Sequence, residues 1–334
     1  MRKRAVLTTA VALGLTATGC ANVGDSGGTD AAGGTECFTE NPMTMIVGYD
    51  AGGSTDVGAR LIATELEEEL GATINVENQP GAGGQVGLTA LSNADPDGYT
   101  FGTVNFPSAI VSVLDETRGA TYTKDSFAPV ALQVIDATAI AVAPDSPIQT
   151  PQDLVEAATA DPGQLRATTT GVASNEHFAL LELQEQTGAE LSPVHFSEGG
   201  APATTAFLGG NVEVLVANVS DVTDLVNSGQ ARVVGVMEEE RSPFLPDVPT
   251  FTEQGYDVEI SSSRGYAFPA DTPQECVTAM SDAIGTIMED PEVRTQMENL
   301  GLAPNYLDAE AYDAYWTETT GTFENLLPLV REGN

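Results

Sequence analysis

Four short turns carry the residue types suited to holding an anion. They are residues 51–56 (Ala-Gly-Gly-Ser-Thr-Asp), 80–85 (Pro-Gly-Ala-Gly-Gly-Gln), 168–177 (Thr-Thr-Thr-Gly-Val-Ala-Ser-Asn-Glu-His) and 197–202 (Ser-Glu-Gly-Gly-Ala-Pro). Each sets small residues at the start of a helical pattern. First-turn amides have no intrahelical acceptor and lie at the positive end of the helix dipole. They can hold a carboxylate or phosphate without a basic side chain. The plain alternative is that each turn only connects a strand to a helix.

More demanding chemistries fail on spacing. A phosphate loop needs Gly-Lys-Ser/Thr, which is absent. The dinucleotide fingerprint starting at Gly81 and Gly83 needs a third glycine at 86, which is Val86. The chain has two histidines, His177 and His195, with no neighbouring ligand pattern, so neither zinc nor any other metal is expected. Ser54 or Ser174 could enter a serine–histidine–aspartate set, but no Gly-x-Ser-x-Gly elbow exists. His177 therefore reads as a helix-face residue shaping a cleft rather than a base. Asp56 reads as support for the helix start more than as a ligand contact. No catalytic residue and no cofactor is expected.

The elements that position these turns alternate. Strand patterns cover 43–49, 73–77, 99–104, 139–143, 165–169, 212–217 and 232–237. Helical patterns cover 57–70, 85–94, 152–160, 176–188, 201–208, 273–289 and 291–300. The apolar stretch 130–143 is broken by Asp136. This alternation predicts parallel sheets in an α/β fold, with the turns at the carboxyl ends of strands where ligands bind. Pro-bearing stretches at 143–151 and 257–273 suggest a chain that leaves one domain, builds another and returns. The predicted division is 38–143 plus 259–334 for domain 1 and 144–258 for domain 2.

The 334 residues carry 49 Asp+Glu against 12 Lys+Arg, a formal net charge of −37. Nucleic acid is a poor partner for such a surface. An anionic ligand is repelled at long range, so any anion site must win by local geometry. Met1 to Arg4 is a positive leader, followed by a short apolar run and Ala17-Thr-Gly-Cys20. That pattern predicts a signal peptide over 1–19, with lipidation of Cys20. Residues 20–37 read as a flexible tether. Cys37 and Cys276 then remain. They form either a disulfide, as export invites, or two separate buried thiols.

Together the motifs resemble a known family. Residues 76–84 (Val-Glu-Asn-Gln-Pro-Gly-Ala-Gly-Gly) and 96–100 (Pro-Asp-Gly-Tyr-Thr) match signatures of the extracytoplasmic solute receptors of tripartite tricarboxylate transporters, the Bug family. Residues 199–215, 241–256 and 269–275 resemble its later signatures. The resemblance implies a type II periplasmic-binding-protein fold, two α/β domains joined by two crossover strands around a ligand cleft. It implies a small carboxylate ligand, held largely by backbone N–H groups. In this sequence the matching positions are Ala51, Gly52, Gly53, Ser54, Thr55 and Asp56, then Gly81, Ala82, Gly83, Gly84 and Gln85. On the second domain the corresponding turn aligns with 169–177, which brings in Thr169, Thr170, Ser174, Asn175 and His177. Gly52, Gly53 and Ser54 are expected to supply the amides for one ligand carboxylate.

Three departures from the family pattern matter. Gly48 stands where proline is usual, and Asp50 where an uncharged residue is common. Ser263, followed by Arg264, stands at the common tryptophan. Arg264 is either a bidentate carboxylate ligand or a hinge arginine paired with surface acids. Asp50 either faces solvent or selects the ligand. The expected protein is not an enzyme. It is a lipid-anchored, monomeric receptor on the outer face of the cell membrane, handing a small carboxylate to a permease. A ligand sensor for a signalling partner is the alternative, and an enzyme on the same fold a weaker one.

Overall fold

The computed structural model describes residues 35–38, 41–196 and 200–332. Cys20, the leader, most of the tether and residues 197–199 of the fourth turn lie outside the described residues. The elements in chain order are β1 (Met43–Val47), α1 (Ser54–Leu70), β2 (Ile74–Asn78), α2 (Gln85–Ser92), β3 (Thr100–Phe106) and α3 (Ser108–Leu114). Next come β4 (Phe127–Val142), α4 (Pro151–Ala160), β5 (Arg166–Thr169), α5 (Asn175–Thr187), β6 (Ser192–His195), α6 (Gly200–Leu208), β7 (Val214–Asn218), α7 (Val219–Asn227) and β8 (Arg232–Met237). The chain closes with β9 (Ser261–Pro269), α8 (Gln274–Glu289), α9 (Pro291–Asn299), β10 (Pro304–Leu307) and α10 (Ala309–Glu332).

The strands run in the order β2-β1-β3-β9-β4-β7-β5-β6. β1 pairs in parallel with β2 and β3, and β5 in parallel with β6 and β7. Antiparallel β9 and β4 stand between these groups. Met43, Met45 and Val47 of β1 are buried, as a strand covered by helices requires. Such a mixed sheet with helices is the α/β periplasmic-binding-protein architecture.

β4 is the axis of the sheet. Its first half lies between β9 and β10, and its second half between β7 and β8. The strand is continuous through Asp136, where the sequence suggested a break. Asp136 is 1% exposed, and its carboxylate accepts the Ser220 N–H (3.2 Å) and the Ser220 hydroxyl at the start of α7. Burial pushes the Asp136 carboxyl up, while Ser220 and the positive charge of Arg264 pull it back. A buried polar group partnered in this way does not interrupt a strand.

The sequence reading lacks α3, α7 and α10 together with β6, β9 and β10, and α10 is the longest of these. Trp316 and Tyr312 pack on Phe106 at the end of β3, with centroids 5.1 and 5.9 Å away. Phe323, on the same helix, packs on Phe178 of α5 at 4.7 Å. One helix thus braces both parallel groups. Near α1 and α8, Cys37 is bonded to Cys276, and Phe38 is buried beside them. Cys37 lies in a 3-10 turn, Thr35–Phe38, so regular structure begins within the stretch read as tether.

Ile135 and Ser261 help to line a cavity of about 460 Å³ with Glu238, Glu239, Glu240, Glu259 and Glu318. The Glu238 carboxyl is pushed up to about 7, first by burial and then by the charges of Asp136, Glu259 and Glu240. Its folded pKa lies above the unfolded value, so its ionisation costs stability as pH rises from about 4.5 to about 7. Glu238→Gln is therefore expected to raise the melting temperature at pH 8 and leave it nearly unchanged at pH 4.5. Equal shifts at both pH values would show that Glu238 does not ionise against its neighbours.

Candidate functional site

The first turn is shaped from behind. Asp56 is the third residue of α1 and 2% exposed. Its carboxylate accepts the Gly52 N–H (2.8 Å), Asn78 Nδ2 (2.8 Å) and Arg60 Nε (3.0 Å). Burial raises its pKa, but hydrogen bonds from Arg60, Gly52 and Asn78 outweigh that and hold it below the ordinary range. Asp56 thus serves the loop rather than reaching a ligand.

The expected amide set shifts accordingly. The Gly52 N–H is occupied by Asp56, and the Gly53 N–H turns to the Asp50 carbonyl at 3.3 Å. Neither is free for an anion, so these two assignments are corrected. The amides with no acceptor among the described residues are those of Ala51 and the first helical turn, Ser54, Thr55 and Asp56. Asp50 is exposed. Asp56→Ala is expected to cost on the order of 2 kcal/mol, because three donors lose a charged acceptor. Asp50→Ala, changing an exposed side chain, is expected to stay within about 0.5 kcal/mol. Equal urea midpoints for the two variants would contradict the role of Asp56.

The second turn packs on the first. Gly81, Ala82, Gly83 and Gly84 all have positive φ, 137°, 49°, 66° and 96°. The Gly84 N–H returns to the Gly81 carbonyl (3.0 Å), and the amides of Ala82 and Gly83 have no acceptor among the described residues. Gln85 is half-buried, and its side-chain amide donates to the Arg118 carbonyl at 3.1 Å. Tyr49 ties the turns together, donating to the Gly83 carbonyl (3.2 Å) and sharing a hydrogen bond with Ser108 (2.7 Å). A Cβ at Gly87 would lie 2.6 Å from Gly48 Cα, so the backbones touch. A Cβ at Gly48 would itself lie 3.0 Å from the Gly84 carbonyl oxygen and 3.2 Å from its Cα, which accounts for glycine at position 48.

The third turn repeats the device of the first. His177 is the third residue of α5, and its Nδ1 accepts the Ala173 N–H at 3.1 Å. That bond spans the same four residues as Gly52 to Asp56. The His177 ring is 6% exposed and packs edge-on against His195 at 4.9 Å. Burial, then His195, lower its pKa to about 4, so it is neutral at pH 7. With Nδ1 accepting, His177 fixes the loop and is not poised as a base. Ser174 caps α5 from its side chain (3.3 Å to the His177 N–H) and donates to Glu176 (2.6 Å). Glu176 also takes the Thr170 hydroxyl (2.6 Å), and Thr169 shares a hydrogen bond with His195 Nδ1 (2.6 Å). The amides of Asn175 and Glu176 have no acceptor among the described residues.

The floor between the turns was not legible in the sequence as a site. Arg264 of β9 stands opposite Asn105 of β3 and Val134 of β4, and Ser262 opposite Asp136. Asn105 donates to Thr55 Oγ1 (2.7 Å), which joins the floor to the first turn. Asn175 donates to Thr138 Oγ1 (2.7 Å) and Asn218 Oδ1 (3.2 Å), and Asn218 donates to Ser262 (3.3 Å), which joins it to the third. Arg264 is half-buried, and its Nη1 is buried with no hydrogen-bond partner among the described residues. Burial raises the pKa values of Tyr49, Asp136 and Asp221, and the charge of Arg264 reaches each of them and opposes that rise. Asp221, open to solvent on the start of α7, is nevertheless pushed up to about 6 by desolvation, then by Asp136 and Glu176. The pairing of Arg264 with surface acids, one alternative for this residue, is not seen in the ion pairs of the described residues. Chemically the arrangement offers unpaired amides and one unpaired guanidinium, the means of holding an anion. Among the described residues no group of three or more His, Cys, Asp or Glu could hold a metal, and no helix is long and apolar enough to cross a membrane.

Residues 58–328 match the family model described as the tripartite tricarboxylate transporter family receptor. A UPF0065 protein of Cupriavidus necator is 32% identical over 288 residues, covering 84% of this chain and 85% of its own. A TctC solute-binding protein from Polaromonas, solved without ligand, superposes with a TM-score of 0.80 at 28% identity, over 87% of this chain and 99% of that one. MatC from Rhodopseudomonas palustris, solved with bound malate, gives a TM-score of 0.67 at 25% identity, over 86% of this chain and 99% of that one.

Proposed function

The chain belongs to the tripartite tricarboxylate transporter receptor family, and on that premise we propose that it is a lipid-anchored extracytoplasmic receptor for a small carboxylate. The observation that carries the ligand class is the unpaired Nη1 of Arg264 on a floor joined to two turns with free amides. A buried guanidinium without a partner is costly and is relieved by a carboxylate. Malate bound to MatC, a protein of the same fold, supports this reading.

Residues 38–143 plus 259–334 and residues 144–258 act as two domains in this proposal. β4 and the stretch leading into β9 are the crossings at which they hinge. Cys20 carries the lipid that keeps the monomeric receptor at the membrane, where it passes its ligand to permease subunits. The test is calorimetry and thermal shift with a panel of carboxylates. The expected result is one-to-one binding without consumption, with about 2.7 kcal/mol of stabilisation at 100 times Kd. Turnover of a bound acid, or no response to any carboxylate, would overturn the reading. Release of a Cys20→Ala form into the medium would support the anchor, and retention at the membrane would contradict it.

A further inference from the structure

The floor of the site holds acceptors as well as a donor. Asn175 is 6% exposed, yet its Oδ1 is buried without a hydrogen-bond partner among the described residues. Asn105 Oδ1, on the Arg264 side, is likewise unpartnered. A carboxylate can satisfy Arg264 but cannot satisfy either oxygen, because an ionised carboxylate only accepts.

As placed, the Asn175 amide turns its nitrogen to its neighbours and leaves its oxygen without one. Its Nδ2 donates to Thr138 Oγ1 and to Asn218 Oδ1, and Asn218 is held in turn by Ser262. Turning the Asn175 amide over would place its oxygen against the Asn218 oxygen and lose that bond. The Asn175 Oδ1 is therefore the group left for a ligand. The same end of the site is acidic, since the charges of Asp136 and Glu176 both reach Asp221 there. A second bare carboxylate is unwelcome at that end, and a hydrogen-bond donor is not.

We propose that the ligand is a carboxylate that also bears a hydroxyl or ammonium group, whose hydrogen is taken by Asn175 Oδ1, with Asn105 Oδ1 as a second acceptor. This rests on the carboxylate-receptor reading and assigns specificity within it. Leaving a buried oxygen unpaired when a donor-free acid binds is the penalty that produces the selection.

Matched acids test it on the unaltered protein by calorimetry. The three sets are propionate, lactate and alanine; succinate, malate and aspartate; and phenylacetate, mandelate and phenylglycine. In whichever set binds, the hydroxy or amino member is expected to bind at least about tenfold more tightly than the donor-free acid. Which of the two does so separates hydroxyl from ammonium. In Asn175→Ala, shown to be folded by a single cooperative thermal transition, the ratio of the two affinities is expected to fall below about threefold, whatever the change in either one. A donor-free acid binding as tightly as its partners, or an undiminished preference in Asn175→Ala, overturns the assignment while leaving the carboxylate reading intact. Failure of all nine acids to bind removes the carboxylate reading, and this assignment with it.

Discussion

Arg264→Ala is expected to weaken carboxylate binding by about 2–4 kcal/mol, roughly 30- to 1000-fold. Nη1 has no hydrogen-bond partner within the described protein, so the side chain makes its best bond only when an anion arrives. For the same reason the ligand-free protein should lose little thermal stability. Removing a guanidinium whose Nη1 is unpaired among the described residues offsets part of what is lost with the side-chain stem and with its charge beside Asp136. This combination separates a binding role from a structural one. Arg264→Lys should fall in between, because a lysine ammonium cannot offer the planar pair of donors that matches a carboxylate. Affinity within twofold of the parent, measured by calorimetry on the tightest carboxylate found, would remove Arg264 from the site.

The second large effect concerns the Cys37–Cys276 bond. It closes a loop of 239 residues. In the chain-entropy picture a loop of that length restricts the unfolded chain by roughly 5 kcal/mol, and measured losses of native disulfides run to about 2–5 kcal/mol. The double replacement Cys37→Ser with Cys276→Ser is therefore expected to lose about 3–5 kcal/mol in urea unfolding. The parent treated with reductant should approach the same midpoint. A loss below about 1 kcal/mol would mean that the bond adds little to the packing of Phe38 against the α1–α8 core.

Local features of the fold were readable because their causes are local. Glycines and small residues before a 3.6-residue pattern mark the starts of α1, α2 and α5 within a few residues. What escaped depends on partners far along the chain. Asp136 looks like a strand breaker until Ser220, 84 residues later, supplies its hydrogen bonds. Asn105 and Asn218 are ordinary polar residues in the sequence, and only the sheet sets Asn105 opposite Arg264 and Asn218 against Ser262, two residues before it. α10 is diluted by threonines and by Gly321 and Pro328, and its helix is justified by rings on β3 and α5. At the candidate site the turns were visible, but their free amides were misplaced. Sequence does not reveal that the Asp56 carboxylate turns back to occupy the Gly52 N–H.

The paired bonds from Gly52 to Asp56 and from Ala173 to His177 bear on timing. Both turns take their shape from their own helices, so an arriving acid meets amides already aimed and freezes little backbone. Arrival is then limited by access to the opening, not by loop ordering. On the proposed hinge, residence time is set by how often the two domains part. α10, which touches both β3 and α5, is the element over which that parting must slide.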